Sequence, residues 1–291
     1  MYQEPDGEKA GRMIEAQKRA GVALGVLPAG PRQWGWHGRS LSLRVQDSGH
    51  GACWLRIMEE TPERAGTTPE WFGTELTVRR FREVRRPGVI AIHDMRERGW
   101  AYRAELTTFV DEPLLSPTPQ LTADLHLPPE WWAWTRKNLY YVGQEHTDRI
   151  AVRQSWIERV VPEMTGYPAP HVTHWACAHG DFHPANVTTG ATVLDWEGWG
   201  MAPYGWDAAL FYAFAQTAPA TAAVIRREFG ALLDHAAGQA AILIACALLL
   251  QSVERGDFTE LGPYLNRLAQ HAAAEIAAAE RNRQRPMLTS S

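Results

Sequence analysis

Two short segments hold residues whose types and spacing suit phosphoryl transfer: His179-Gly180-Asp181-Phe182-His183-Pro184-Ala185-Asn186-Val187 and Val193-Leu194-Asp195-Trp196-Glu197. That reaction asks little covalent work of a protein. It needs positioning, charge neutralisation and a group that orients the attacking hydroxyl. A loop carboxylate can accept the hydroxyl proton, and Asp181 is the residue expected to do so. Asn186 lies a few residues on, where the loop can bring its amide oxygen to a divalent metal. Asp195 closes the apolar run Thr192-Val193-Leu194, which places a carboxylate at a strand end. Hard oxygen donors of this kind suit Mg²⁺, typically held by one or two side chains together with substrate phosphates.

The pattern HGDxxxxN followed by DWE resembles the catalytic loop and metal motif of the aminoglycoside phosphotransferase and choline kinase superfamily. The resemblance is specific over Trp175 to Leu210 and looser elsewhere, covering roughly Trp34 to the last helices. It implies a two-lobed, protein-kinase-like α+β fold, with an antiparallel sheet plus helix in the N-lobe and a mainly helical C-lobe. It also implies Mg²⁺ as cofactor, ATP or GTP as phosphate donor, and a hydroxyl on a small molecule as acceptor. By the same resemblance Asp181 is the catalytic base and Asn186 and Asp195 hold the metal. His179 opens the loop as a structural residue, and Asp207 starts the next helix and braces it. Thr107 to Val110 matches the hinge, with Thr108 and Val110 offering backbone groups to the base. The family's phosphate-contacting lysine on the third strand is here Arg56, with Glu75 of the following helix as its expected partner. Arginine keeps the charge and can grip phosphate bidentately, but it is longer and planar. The glycine loop is also atypical, since Gly35-Trp36-His37-Gly38-Arg39-Ser40 lacks the GxGxxG spacing.

The elements that must position these residues follow from periodicity. Trp34 to Val45 ends in the alternation Leu41, Leu43, Val45, a half-buried strand, and Ala52 to Met58 completes a hairpin around Gly49-His50-Gly51. Thr67-Thr68-Pro69-Glu70 reads as a helix start, with the helix running through Trp71, Glu75, Leu76 and Phe81. Val89 to Met95 and Trp100 to Val110 read as two more strands. Asp111 to Pro129, rich in Pro, Ser and Thr, reads as the linker between a nucleotide-binding lobe (1–110) and a catalytic, acceptor-binding lobe (111–291). Helices are expected over Pro129 to Val142, Ile150 to Val161, Ala208 to Ala215, Ala220 to Leu233, Gln239 to Val253 and Leu261 to Glu280. His174 to Trp196 interrupts them as strand and loop, and Arg281 to Ser291 reads as a frayed polar tail.

Composition narrows the partners. With 45% hydrophobic and 21% charged residues and a net charge of −4, the chain is that of an ordinary globular protein with no basic face for nucleic acid. Cys53, Cys177 and Cys246 are far apart in apolar stretches, which fits reduced thiols and a cytoplasmic location. The charged N-terminal segment has no apolar core of a signal peptide. Ala240 to Leu250, the most apolar run, falls short of the ~20 residues that span a bilayer, so it reads as a buried helix and no membrane partner is expected. His171, His174, His179 and His183, with Cys177, invite a zinc reading, but no glutamate completes a His-Glu-x-x-His motif. The tryptophans at 131, 132 and 134 read as packing residues.

Between Arg103 and Arg136 there is no lysine or arginine, whereas Glu105, Asp111, Glu112, Asp124 and Glu130 are acidic. Acidic walls suit a polycationic acceptor, and together with the family resemblance they imply an aminoglycoside-like or other antibiotic as substrate. The alternatives are a metabolite kinase acting on a sugar, amino alcohol or nucleoside, and, in another class, a pseudokinase-like binding module in which Arg56 marks lost phosphate handling.

Overall fold

The computed structural model describes residues 3–284. The chain forms two compact units. One runs to Asp111 and takes back the short segment Leu194–Glu197; the other comprises Glu112–Val193 and the chain from Gly198 onward. A single boundary near residue 110 therefore misses the return of Asp195 and Glu197 to the first unit.

The first unit is a five-stranded antiparallel sheet with helices. It opens with α1 (Gly7–Ala23), whose N-terminus is capped by Asp6, its carboxylate accepting from the Lys9 N–H at 3.0 Å. Ala10, Met13, Ala16, Gln17 and Ala20 make one buried stripe at helical spacing. The strands are β1 (Leu27–Trp34), β2 (Ser40–Asp47) and β3 (Gly51–Glu60), then α2 (Pro69–Leu76), β4 (Val89–Glu97) and β5 (Trp100–Thr108). Their spatial order is β1-β2-β3-β5-β4. Neither α1 nor β1 was expected from the sequence. β1 contains Pro28, Gly30 and Pro31, and it is an edge strand with a register shift between Pro28 and Arg32, where a missing N–H costs no ladder bond. Leu43, Val45, Leu55, Ala104 and Leu106 pack with Ala20 and Val26, while Leu41, Ile57 and Tyr102 pack with Met13 and Ala16. The α1 stripe thus covers one face of the sheet.

α2 is shorter than expected. It stops at Leu76 and passes through a 3₁₀ turn at Thr77–Arg79, and Phe81 takes a φ of +53°. Phe81 packs at a tilt on the buried Trp196 with ring centroids 4.7 Å apart, which ties the returning segment into this unit. Gly73 of α2 lies against the same segment: a Cβ there would sit 2.1 Å from the Glu197 carbonyl oxygen. Gly73→Ala is therefore expected to destabilise the first unit by about 2 kcal/mol through overpacking, read by chemical unfolding. A wild-type midpoint in that variant would show that the segment moves freely.

The second unit is helical apart from one ribbon. It contains α3 (Pro129–Gly143), α4 (Gln154–Thr165), β6 (Trp175–Ala178), β7 (Gly200–Pro203), α5 (Trp206–Phe214), α6 (Pro219–Glu228), α7 (Gly230–Leu233), α8 (Ala236–Glu254) and α9 (Gly262–Gln284). The expected helix over 220–233 is thus two pieces that meet at Phe229. α9 continues through residue 284, and the rest of the polar tail, 285–291, lies outside the described residues. α8 is longer than its apolar run and, by length and composition alone, would suffice to cross a membrane. Here 61% of its most apolar window is buried, and it packs against α4, α5 and α9 as a core helix. Residues 113–128 contain no helix or strand, but they are stitched to the unit by an antiparallel bridge between Leu114 and Thr188.

Candidate functional site

In the second unit the HGDxxxxN segment leaves β6 as a loop, and the loop's shape is set by Asp207. This residue sits in the first turn of α5, where a carboxylate is favoured by the helix dipole. Its two oxygens accept the N–H groups of His179 at 2.7 Å and Gly180 at 3.0 Å. Trp206 adds an indole N–H to the Gly180 carbonyl at 3.0 Å. Gly180 has a φ of +90°, and a Cβ there would come within 2.6 Å of the Gly198 carbonyl oxygen, so only glycine fits. Burial pushes the Asp207 carboxyl above its ordinary range, against the opposing pull of His179 and the two N–H groups. His179 is fully buried, with its ring edge-on to Phe182, and Phe182 in turn packs on Phe211 of α5.

Those anchors bury His179 and the loop from Phe182 to Thr188 and leave Asp181 projecting, its side chain 55% exposed. Its carboxylate is oriented from two sides. His183 Nε2 lies 3.3 Å from Oδ2, and the Asn186 amide donates to the Asp181 carbonyl at 3.0 Å and to Oδ2 at 3.3 Å. Desolvation by the surrounding loop raises the carboxyl pKa, but His183, His179 and Asn186 outweigh it and hold Asp181 below its usual range. An ionised, exposed and oriented carboxylate is what a general base for a hydroxyl requires. From the sequence His183 reads only as a zinc candidate. Its position two residues past Asp181 was the available signal. The Asn186 amide nitrogen is committed to Asp181, so its amide oxygen is the atom suited to a metal.

Farther along the loop the packing is structural. The Trp131 indole N–H donates to the Thr188 carbonyl at 2.9 Å, and the Asn138 amide donates to the Ala191 carbonyl at 2.8 Å. Trp131 and Trp132 are buried against each other, as expected of packing residues. Glu112 accepts the Thr188 hydroxyl, and Asp124 accepts the Thr221 N–H at 2.8 Å in the first turn of α6. These acidic residues therefore serve the fold, and so does Glu105, described next. Of the five expected to form an acidic wall, that leaves Asp111 and Glu130.

In the first unit Arg56 on β3 is the centre of an ion-pair cluster. It stands directly opposite Glu105 in the β3–β5 register, 3.5 Å from that carboxylate. It also pairs with Asp195 at 3.3 Å and with Glu197. Burial opposes the Arg56 charge, but Glu197, Asp195 and Glu105 more than offset it and hold the guanidinium protonated. Burial raises the Glu105 carboxyl, with Arg56 pulling it back. Asp195 has a φ of +58°, a left-handed conformation that aspartate tolerates better than most residues.

The expected Arg56–Glu75 pair does not form. Glu75 of α2 instead pairs with Arg103, a fully buried guanidinium that also binds Asp94, its opposite number on β4, at 2.9 Å. The reason lies in the sheet. Arg56 already faces a carboxylate across the ladder, while Arg103 needs two to compensate its burial. At the end of β5, Thr108 is tied to Gly88 by two hydrogen bonds, its N–H donating to the Gly88 carbonyl and its hydroxyl accepting the Gly88 N–H, both 2.8 Å. Val110 follows as half-buried, irregular chain. Asp195 of the first unit and Asn186 of the second each carry a hard oxygen of the donor type that suits magnesium.

No family model and no curated protein matches this chain. Solved structures do. The apo form of a thermostable mutant of aminoglycoside phosphotransferase APH(4)-Ia superposes with a TM-score of 0.61 at 14% identity, covering 89% of this chain and 98% of that one. A ternary complex of such a mutant with AMP-PNP and hygromycin B gives 0.61 at 14% identity over 90% and 98% of the two chains. APH(4)-Ia itself gives 0.59 at 12% identity over 91% and 99%. Its antiparallel N-terminal sheet and helical C-terminal part give this chain the α+β, kinase-like fold of the aminoglycoside phosphotransferases.

Proposed function

We propose that the protein is a Mg²⁺-dependent phosphotransferase that moves the γ-phosphate of ATP or GTP to a hydroxyl of a small molecule, an aminoglycoside-like antibiotic. The observation that carries this reading is the loop of the second unit. There an exposed Asp181 carboxylate is oriented by His183 and Asn186, on a backbone pinned by Asp207. Asp181 would accept the acceptor hydroxyl's proton as that oxygen attacks the γ-phosphorus and the nucleoside diphosphate departs. Asn186 and Asp195 would hold magnesium, which when bound neutralises phosphate charge. Arg56 would contact phosphate, and Thr108 to Val110 would meet the base. The acceptor class draws on the solved neighbours, which have been captured with ADP or AMP-PNP and hygromycin B.

A thermal-shift titration tests the nucleotide half. ATP or GTP at ~100 times its Kd should add about 2.7 kcal/mol of stability. The shift should be larger with Mg²⁺ and should be lost in Asp195→Ala. If neither nucleotide moves the wild-type transition, the phosphotransferase reading fails. Incubating the preferred nucleotide with aminoglycosides, sugars, amino alcohols and nucleosides, with products weighed by mass spectrometry, then identifies the acceptor. A phosphorylated sugar in place of an aminoglycoside would overturn the substrate class alone.

A further inference from the structure

Arg56 stands where the resemblance implies a lysine, and its surroundings show how a longer, planar cation is handled. A lysine has a single nitrogen and can be aimed by one carboxylate. A guanidinium has five N–H groups in a fixed fork and needs partners on more than one side to be held in one orientation. α2 supplies none, because Glu75 is taken by Arg103. Three other carboxylates surround Arg56: Glu105 from the neighbouring strand, and Asp195 and Glu197 from the returning segment.

These three are not equivalent. The Glu105 side chain is 3% exposed and lies across the ladder, so it forms a fixed floor. Asp195 is the most exposed and the farther of the two in the returning segment, and as an Mg²⁺ ligand it would be drawn elsewhere when nucleotide binds. Glu197 is held from behind. Gly73 of α2 leaves no room between its Cα and the Glu197 backbone, and Trp196 is buried on Phe81. α2 thus acts on Arg56 through a glycine and a backbone rather than through a glutamate.

We propose that Glu197 is the positioning residue for Arg56: with Glu105 it aims the guanidinium at the nucleotide phosphates, the task expected of Glu75. This inference rests on the phosphotransferase reading, and it assigns Glu197 a role through Arg56 rather than through the metal.

A double-mutant cycle on the full chain separates those possibilities. The Kd for AMP-PNP with Mg²⁺ is measured by calorimetry for wild type, Arg56→Ala, Glu197→Gln and the double variant. Each single change should raise Kd about tenfold, which corresponds to about 1.4 kcal/mol. The double variant should bind no more weakly than Arg56→Ala alone, because Glu197 has nothing left to aim. Losses that multiply would mean that Glu197 acts independently, for example on the metal, and would overturn the inference. So would wild-type affinity in Glu197→Gln, or a greater loss in Glu75→Gln than in Glu197→Gln. If Glu197→Gln does not fold, Glu197→Asp takes its place in the cycle, keeping the charge but shortening its reach, and the same non-additivity is expected. A wild type that binds no AMP-PNP removes the phosphotransferase reading itself. A wild type that binds, with multiplying losses, removes only the role of Glu197.

Discussion

Asp181→Asn should lower kcat by roughly 10²–10⁴-fold, the usual reach of general-base catalysis, and leave nucleotide Kd nearly unchanged. The substitution keeps the size of the side chain and one acceptor oxygen, so Asn186 can still donate to it, and the Asp181 carbonyl bond is untouched. What disappears is the negative charge that His183, His179 and Asn186 favour and that an attacking hydroxyl would use. Because the side chain is more than half exposed, the fold should survive, and an unchanged melting temperature serves as the control. Initial rates with saturating nucleotide and an identified acceptor give the answer. Turnover near that of wild type would remove Asp181 from the mechanism and leave the loop as a binding element.

Asp207→Ala should act by another route and damage stability as well as turnover. Two backbone N–H groups, one from the fully buried His179 and one from Gly180, would lose their acceptor. Each buried donor left unpaired costs about 1–3 kcal/mol, while relief of the buried carboxylate's desolvation returns part of it, so a net loss of about 3 kcal/mol is expected. Asp207→Asn should lose less, because its one amide oxygen can still serve one of the two donors. The diagnostic is the pairing of effects: Asp207 variants should lose kcat in proportion to lost loop order, and Asp181→Asn should lose it without any. Hydrogen exchange at His179 and Gly180 reads that order directly. Full protection in Asp207→Ala would show that the loop is held by something other than this carboxylate.

Much of the candidate site was legible in the residue order because it is local. His179 to Val187 is one continuous loop, and the spacing from Asp181 to Asn186 by itself puts the amide within reach of the carboxylate. The strands from 40 to 108 and the helices after 129 were legible for the same reason, since alternation and helical periodicity are short-range signals. Where the signal weakened, the reading failed locally. β1 was hidden by two prolines and a glycine that only an edge strand tolerates, and α1 by a buried stripe of small residues with little hydrophobic contrast.

The ion-pair partners were decided elsewhere. The sequence places Arg56, Arg103, Glu75, Asp94, Glu105, Asp195 and Glu197 in the chain, but their pairing depends on sheet register and on where a distant segment returns. Register sets Arg56 opposite Glu105 and Arg103 opposite Asp94, and a slip of one residue would exchange the faces of the sheet. The return of residues 194–197 to the first unit brings Asp195 and Glu197 onto Arg56, and no periodicity near residue 56 encodes it. The sequence by itself thus determined the candidate residues and the loop that presents Asp181. Tertiary structure alone decided which carboxylates hold the arginine, because pairing across the fold depends on distances that local order does not constrain.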